Sequence, residues 1–174
     1  VLNKEYPQLS VDKEYDGILE EQMCKCSVDG PTERRMLIYL PKTYYESNES
    51  YPVFYLLHGA RGNELSWIEK GNILHNIDSL RAAGLMREMI VVLPNVNQYD
   101  DDIDFNKSRI KGAVESLFET DGAVETAFVS DVVNAVDSLY RTLPDKEHRA
   151  IAGLSIGAMQ SMHISANAPD IFGY

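Results

Sequence analysis

Three short apolar runs punctuate the chain: Val53-Phe54-Tyr55-Leu56-Leu57, Met89-Ile90-Val91-Val92-Leu93 and Ala150-Ile151-Ala152-Gly153-Leu154. None of them alternates with polar residues. That is the pattern of a strand buried on both faces rather than one with a face in water. Between the runs the period lengthens. Residues 72–83 read as a helix closed by Gly84, a residue suited to a helix C-terminus. Phe128, Val132, Val136 and Tyr140 recur at every fourth position, with Val129, Val133 and Leu143 alongside and Pro144 following. This spacing predicts an amphipathic helix lying on a sheet. Buried strands alternating with helices predict an α/β fold with a mostly parallel sheet.

The flanking segments follow other patterns. Residues 17–27 and 33–40 read as strands joined through Val28-Asp29-Gly30-Pro31, whose Asp-Gly and Pro supply turn chemistry, so an antiparallel hairpin is expected to open the fold. Residues 1–16 are polar and aperiodic and read as an N-terminal arm, with residues 17–174 forming part of one domain. Residues 95–122 make a long connection, the kind that often serves as a lid or binding loop, with a short helix expected over 107–119. Within it, Asp100-Asp101-Asp102-Ile103-Asp104 matches no metal-ligand spacing and reads as solvated surface.

Composition narrows the partners. With 174 residues the chain is long enough for one sizeable core, and its formal net charge of −11 disfavours nucleic acid and anionic membrane surfaces. No apolar run approaches the ~20 residues that cross a bilayer, so no membrane partner is expected. Cys24 and Cys26 stand two apart on a strand, on the same face but too far apart to be bridged comfortably, and read as free thiols. The chain begins at Val1 rather than Met and reads as processed or engineered at that end; nothing in its composition fixes a compartment.

The chemistry begins at Gly153-Leu154-Ser155-Ile156-Gly157, which fits the G-x-S-x-G nucleophile elbow. The elbow lifts a serine clear of the sheet on a tight strand-to-helix turn. Its glycines prevent collisions with the neighbouring strand and helix, and the helix N-terminus faces the charge that develops on the substrate oxygen. Here an apolar strand precedes the motif and a helix over 156–168 follows. The second constellation is His58-Gly59-Ala60-Arg61-Gly62, directly after the buried run at 53–57. An oxyanion needs two backbone N–H donors, one from the residue after the nucleophile (Ile156) and one from a loop after an earlier strand, where Ala60 is the natural donor. His58 reads as a structural hydrogen-bonder, because the general base of this fold follows the serine in the chain.

These segments, residues 51–67 (YPVFYLLHGARGNELSW), 90–97 (IVVLPNVN) and 148–157 (HRAIAGLSIG), resemble the esterase family that holds bacterial feruloyl and acetylxylan esterases and, more distantly, S-formylglutathione hydrolase and mycolyltransferases. The resemblance implies an α/β-hydrolase fold, Ser155 as nucleophile, and Ala60 and Ile156 as oxyanion-hole residues, supported by His58, Gly59, Gly153 and Gly157. Trp67, after Glu64, matches a Trp often found behind this family's oxyanion loop. It reads first as packing, and with Arg61 it is a candidate substrate contact. Arg61 and Ala158 depart from the small residue or glycine found in many members.

The resemblance implies a serine carboxylic-ester hydrolase acting through an acyl-enzyme on feruloyl or acetyl esters of plant cell-wall carbohydrate, with no metal or organic cofactor. Acyl transfer of the mycolyltransferase type, and a non-catalytic carbohydrate-associated module retaining the elbow, remain alternatives. The triad is incomplete, however. After Ser155 only Asp170 and His163 carry the right chemistry, and His163 lies eight residues down the elbow's own helix, about 12 Å away. The acid and base are therefore expected in sequence beyond Tyr174. The strand at 150–154 is correspondingly expected to offer an open edge, to a missing C-terminal segment or to a partner.

Overall fold

A computed structural model describes residues 9, 11, 14–28, 33–97 and 122–174. Five strands, β1 (Ile18–Lys25), β2 (Glu33–Leu40), β3 (Val53–Leu57), β4 (Ile90–Pro94) and β5 (Arg149–Gly153), form one sheet in the order β1-β2-β4-β3-β5. β1 and β2 pair antiparallel, β2 pairs antiparallel with β4, and β3 pairs parallel with both β4 and β5. The expected hairpin strands are present; the turn at Asp29-Gly30-Pro31 lies outside the described residues, as do Asp100–Asp104 and the helix expected over 107–119.

The absence of alternation in the apolar runs has a direct cause: both faces of the sheet are covered. Met36, Ile38, Leu40, Val53, Tyr55, Leu57, Ile90 and Val92 point into one core cluster, and Leu37, Tyr39, Leu56, Val91 and Leu93 into a second on the opposite face. The second cluster is closed by α1 (Ser66–Glu69) and α2 (Ile73–Ala82). The helix α2 ends in a Schellman arrangement, Leu85 N–H to Leu80 O and Gly84 N–H to Arg81 O, with Gly84 at φ 67° as its sequence position predicts. Residues read as an N-terminal arm also contribute, since Leu9, Val11 and Tyr15 pack on this cluster.

The first cluster is closed by α3 (Ala123–Phe128), a π-helical turn at Val129–Val133, α4 (Asn134–Leu139) and α5 (Ile156–Asn167). The helical run stops before the expected Leu143. Tyr51 and residues 141–143 pair through Tyr51 N–H to Arg141 O and Leu143 N–H to Tyr51 O, which draws those residues out straight.

At the sheet's outer edge the structure departs from a fully open β5. Gly173 N–H donates to Arg149 O, and Ile151 N–H donates to Tyr174 O. Phe172 is buried beside Tyr55 and Phe128, with ring centroids 5.9 and 6.4 Å away. Phe172→Ala is expected to cost about 3 kcal/mol, because it empties a site in a three-ring cluster. Urea unfolding reads that loss; a midpoint equal to wild type would show that the 168–174 segment is not part of the core.

The two cysteines are free, as expected from their spacing. Burial pushes the Cys24 thiol up to about 11, which makes it an inert packing group. Among the described residues no helix is long and apolar enough to cross a membrane.

Candidate active site

The strand β5 delivers the chain to Ser155 and α5 departs from it, so the serine stands at the C-terminal end of a parallel strand, where ligands of α/β sheets gather. Its backbone is at φ 55° and ψ −116°, a conformation non-glycine residues seldom adopt and one that stores about 1–3 kcal/mol. Three close approaches hold it there. A Cβ on Gly153 would stand 2.4 Å from the Gly157 carbonyl carbon, and one on Gly157 would stand 2.4 Å from His58 O. Leu154 N–H donates to Leu57 O at 3.2 Å, which ties the turn to the end of β3. Ser155 itself is exposed.

The loop after β3 lies against this turn. A Cβ on Gly59 would sit 3.2 Å from Leu154 O and 3.7 Å from the Ser155 Cβ, so the loop passes close to the elbow one residue before Ala60. Among the described residues, neither the Ala60 N–H nor the Ile156 N–H has a hydrogen-bond acceptor. An exposed serine beside two uncommitted N–H groups is the arrangement that nucleophilic acyl transfer requires.

His58 takes the structural part anticipated for it. Its Nε2 accepts the Val96 N–H at 3.1 Å, so the ring proton resides on Nδ1, which donates to Gly59 O at 2.9 Å. Both nitrogens are engaged and neither serves Ser155. Arg61 adopts φ 59°, a backbone conformation that favours glycine, and its side chain is exposed. Trp67 packs: its indole N–H donates to Leu57 O at 3.0 Å and its ring covers Gly71.

The remaining histidines lie elsewhere. His75 is exposed on α2, and His163 is exposed on α5 with Asp170 beyond that helix's end. His148 does form a pair with an acid, its Nδ1–H donating to Asp145 Oδ1 at 2.6 Å, and this bond holds the Asp145 carboxyl below its ordinary value. That pair precedes β5, while Ser155 follows it. Five strand residues at about 3.3 Å each separate the two ends.

A set of polar residues, most of them buried, lies beneath the loop, unannounced by any motif. Arg35 Nε donates to Glu64 Oε1 at 2.6 Å and Asn95 Nδ2 donates to Glu64 Oε2 at 2.9 Å. Asn97 Nδ2 donates to Gly62 O, and Gln160 Nε2, from α5, donates to Val96 O. One signal was present in the sequence: Arg35 directly precedes the apolar run Met36–Leu40 of its strand, and a buried charge needs a partner.

Comparison with known proteins accords with this geometry. The family model described as "Putative esterase" matches residues 27–174. The chain belongs to this esterase family. The chain is 33% identical over 141 residues to an endo-1,4-beta-xylanase/feruloyl esterase of Xylanibacter ruminicola, a match covering 79% of the chain and 18% of that protein. Among solved structures it resembles a ferulic acid esterase (28% identity, TM-score 0.72, 91% of this chain and 57% of that one). It also resembles a ferulic acid esterase of Anaeromyces mucronatus solved with ferulic acid (26% identity, TM-score 0.74, 96% and 59%). The fold is that of the α/β-hydrolase esterases. The chain spans under a fifth of the first curated relative and about three fifths of these structures.

Proposed function

We propose that this esterase is a serine carboxylic-ester hydrolase that releases ferulate from plant cell-wall carbohydrate through an acyl-enzyme. The observation that carries the reading is Ser155 held at φ 55° on the elbow, next to the loop of Ala60. The relatives named as feruloyl esterases supply the acyl group.

In this reading the Ser155 Oγ attacks the ester carbonyl carbon while a base takes its proton. The carbonyl oxygen becomes an oxyanion held by the N–H groups of Ala60 and Ile156. Collapse of that intermediate expels the sugar alcohol, which takes the proton back. Water then attacks the acyl-enzyme, and ferulate and the free serine are regenerated. His58 is committed on both nitrogens and the other three histidines lie away from Ser155, so the base and its orienting acid come from outside these 174 residues. Residues 17–174 are on this reading the N-terminal part of one catalytic domain.

The test is incubation of the full-length protein with methyl ferulate, p-nitrophenyl acetate and ferulate-bearing arabinoxylan, with chromatography of the products. Free ferulate from both feruloyl substrates is expected, with no requirement for an added metal. Turnover of none of the three would overturn the proposal. Transfer of the acyl group to added sugar in preference to water would reassign the enzyme as an acyltransferase.

A further inference from the structure

Both N–H donors beside Ser155 are registered to a single strand end, residues 95–97. His58 binds Val96 N–H, Asn97 holds Gly62 O, and Asn95 holds Glu64, so the loop that contains Ala60 is gripped on both sides of that residue. From the other side Gln160 binds Val96 O and ties down the helix that begins at Ile156. Glu64 is the one charged member of these grips. Its side chain is 2% exposed and its partner Arg35 is 1% exposed, and both carboxylate oxygens are taken, one by Arg35 and one by Asn95. Arg35 also reaches Glu21 Oε2 at 3.1 Å, and its carbonyl accepts the Asn95 N–H, so the carboxylate is fixed to β2, to β4 and through Arg35 to β1.

A buried ion pair adds little stability over a well-packed apolar pair of the same volume, but its geometry is exacting. What this cluster supplies is position. We infer that Glu64 is a positioning residue of the esterase: with Arg35 and Asn95 it sets the distance between the Ala60 N–H and the Ile156 N–H across Ser155. The inference rests on the esterase reading above. A loop displaced by a fraction of an ångström leaves substrate binding intact and weakens only contacts made in the transition state.

The experiment compares wild-type full-length protein with Glu64→Gln, and with the volume-matched pair Arg35→Met/Glu64→Met in case the single variant does not fold. Active sites are counted by fluorophosphonate titration, so that misfolded protein does not enter the rates. The expected result is a fall in kcat on methyl ferulate of about 10- to 100-fold per titrated site, with KM changed by less than about threefold. A trifluoromethyl ketone, whose adduct carries the oxyanion, should weaken in step with kcat/KM, while ferulate itself, which makes no tetrahedral adduct, should bind as in wild type. An unchanged kcat per site, or an equal loss of ferulate affinity, would overturn the inference. So would failure of both variants to fold, since the cluster would then be a folding requirement. A wild-type protein that hydrolyses no ester and takes no fluorophosphonate at Ser155 would overturn the esterase reading itself, and the inference with it.

Discussion

On the proposed reading, Ser155→Ala is expected to lower ester hydrolysis by the full-length protein on the order of 10⁶-fold, the loss seen when a serine hydrolase loses its nucleophile. The size follows from the route. Without the hydroxyl no acyl-enzyme forms, and only the oxyanion donors and substrate binding remain, worth roughly 10³–10⁴ over water. Nothing about the fold should change, because Ser155 is exposed and its backbone is held by Gly153, Gly157 and the Leu154–Leu57 hydrogen bond. The measurement is single-turnover hydrolysis of methyl ferulate, with mass spectrometry of the fluorophosphonate adduct to locate the label on the wild-type protein. Wild-type turnover in the alanine variant, or a label on another residue, would remove Ser155 from the mechanism.

Gly157→Ala should cost about 3 kcal/mol of stability and most of the activity. The new methyl would meet His58 O at 2.4 Å and Leu57 O at 2.8 Å, and both are backbone atoms that no rotamer change can move aside. The helix α5 would have to lift from the end of β3, and that movement carries the Ile156 N–H away from the Ala60 N–H. Gly84→Ala is the natural control. Unlike Gly157 it sits at positive φ, but nothing lies within 4 Å of its Cβ position, so it should cost only the backbone strain, about 1 kcal/mol. Urea midpoints and kcat for the two variants separate the effects; equal costs would mean that the close approach of α5 to β3 is not what Gly157 provides.

Much of this was legible in the order of residues. Apolar runs without alternation identify β3, β4 and β5, because burial on both faces leaves no position for a polar side chain. The elbow is legible because its chemistry is confined to five consecutive positions. The ends of the helical run were read less well. Leu143 sits at helical spacing from Val136, but the pairing of Tyr51 with residues 141–143 comes from a residue about 90 positions earlier, just ahead of β3, and leaves no trace in local periodicity. The same reason hid Glu64. Its partners lie 29 and 31 residues away, and only the sheet order that sets β2 beside β4 brings Arg35 and Asn95 together under the loop. The bare edge predicted for β5 was altered by Gly173 and Tyr174, whose hydrogen bonds depend on how Phe172 docks rather than on any strand-like pattern.

The left-handed backbone of Ser155 also bears on how such a sequence drifts. At that φ a glycine would sit without strain, so Ser155→Gly is a change that random mutation supplies and that folding alone would reward by about 1 kcal/mol. A lineage relieved of ester hydrolysis, keeping the domain only to hold carbohydrate, would have no force opposing that exchange. Ser155, like Arg61 at φ 59° and Asn72 at φ 50°, stands where the backbone would accept glycine without strain. On the esterase reading proposed above, turnover is the pressure that keeps the hydroxyl at this position, whereas a pure binding module would gain from losing it.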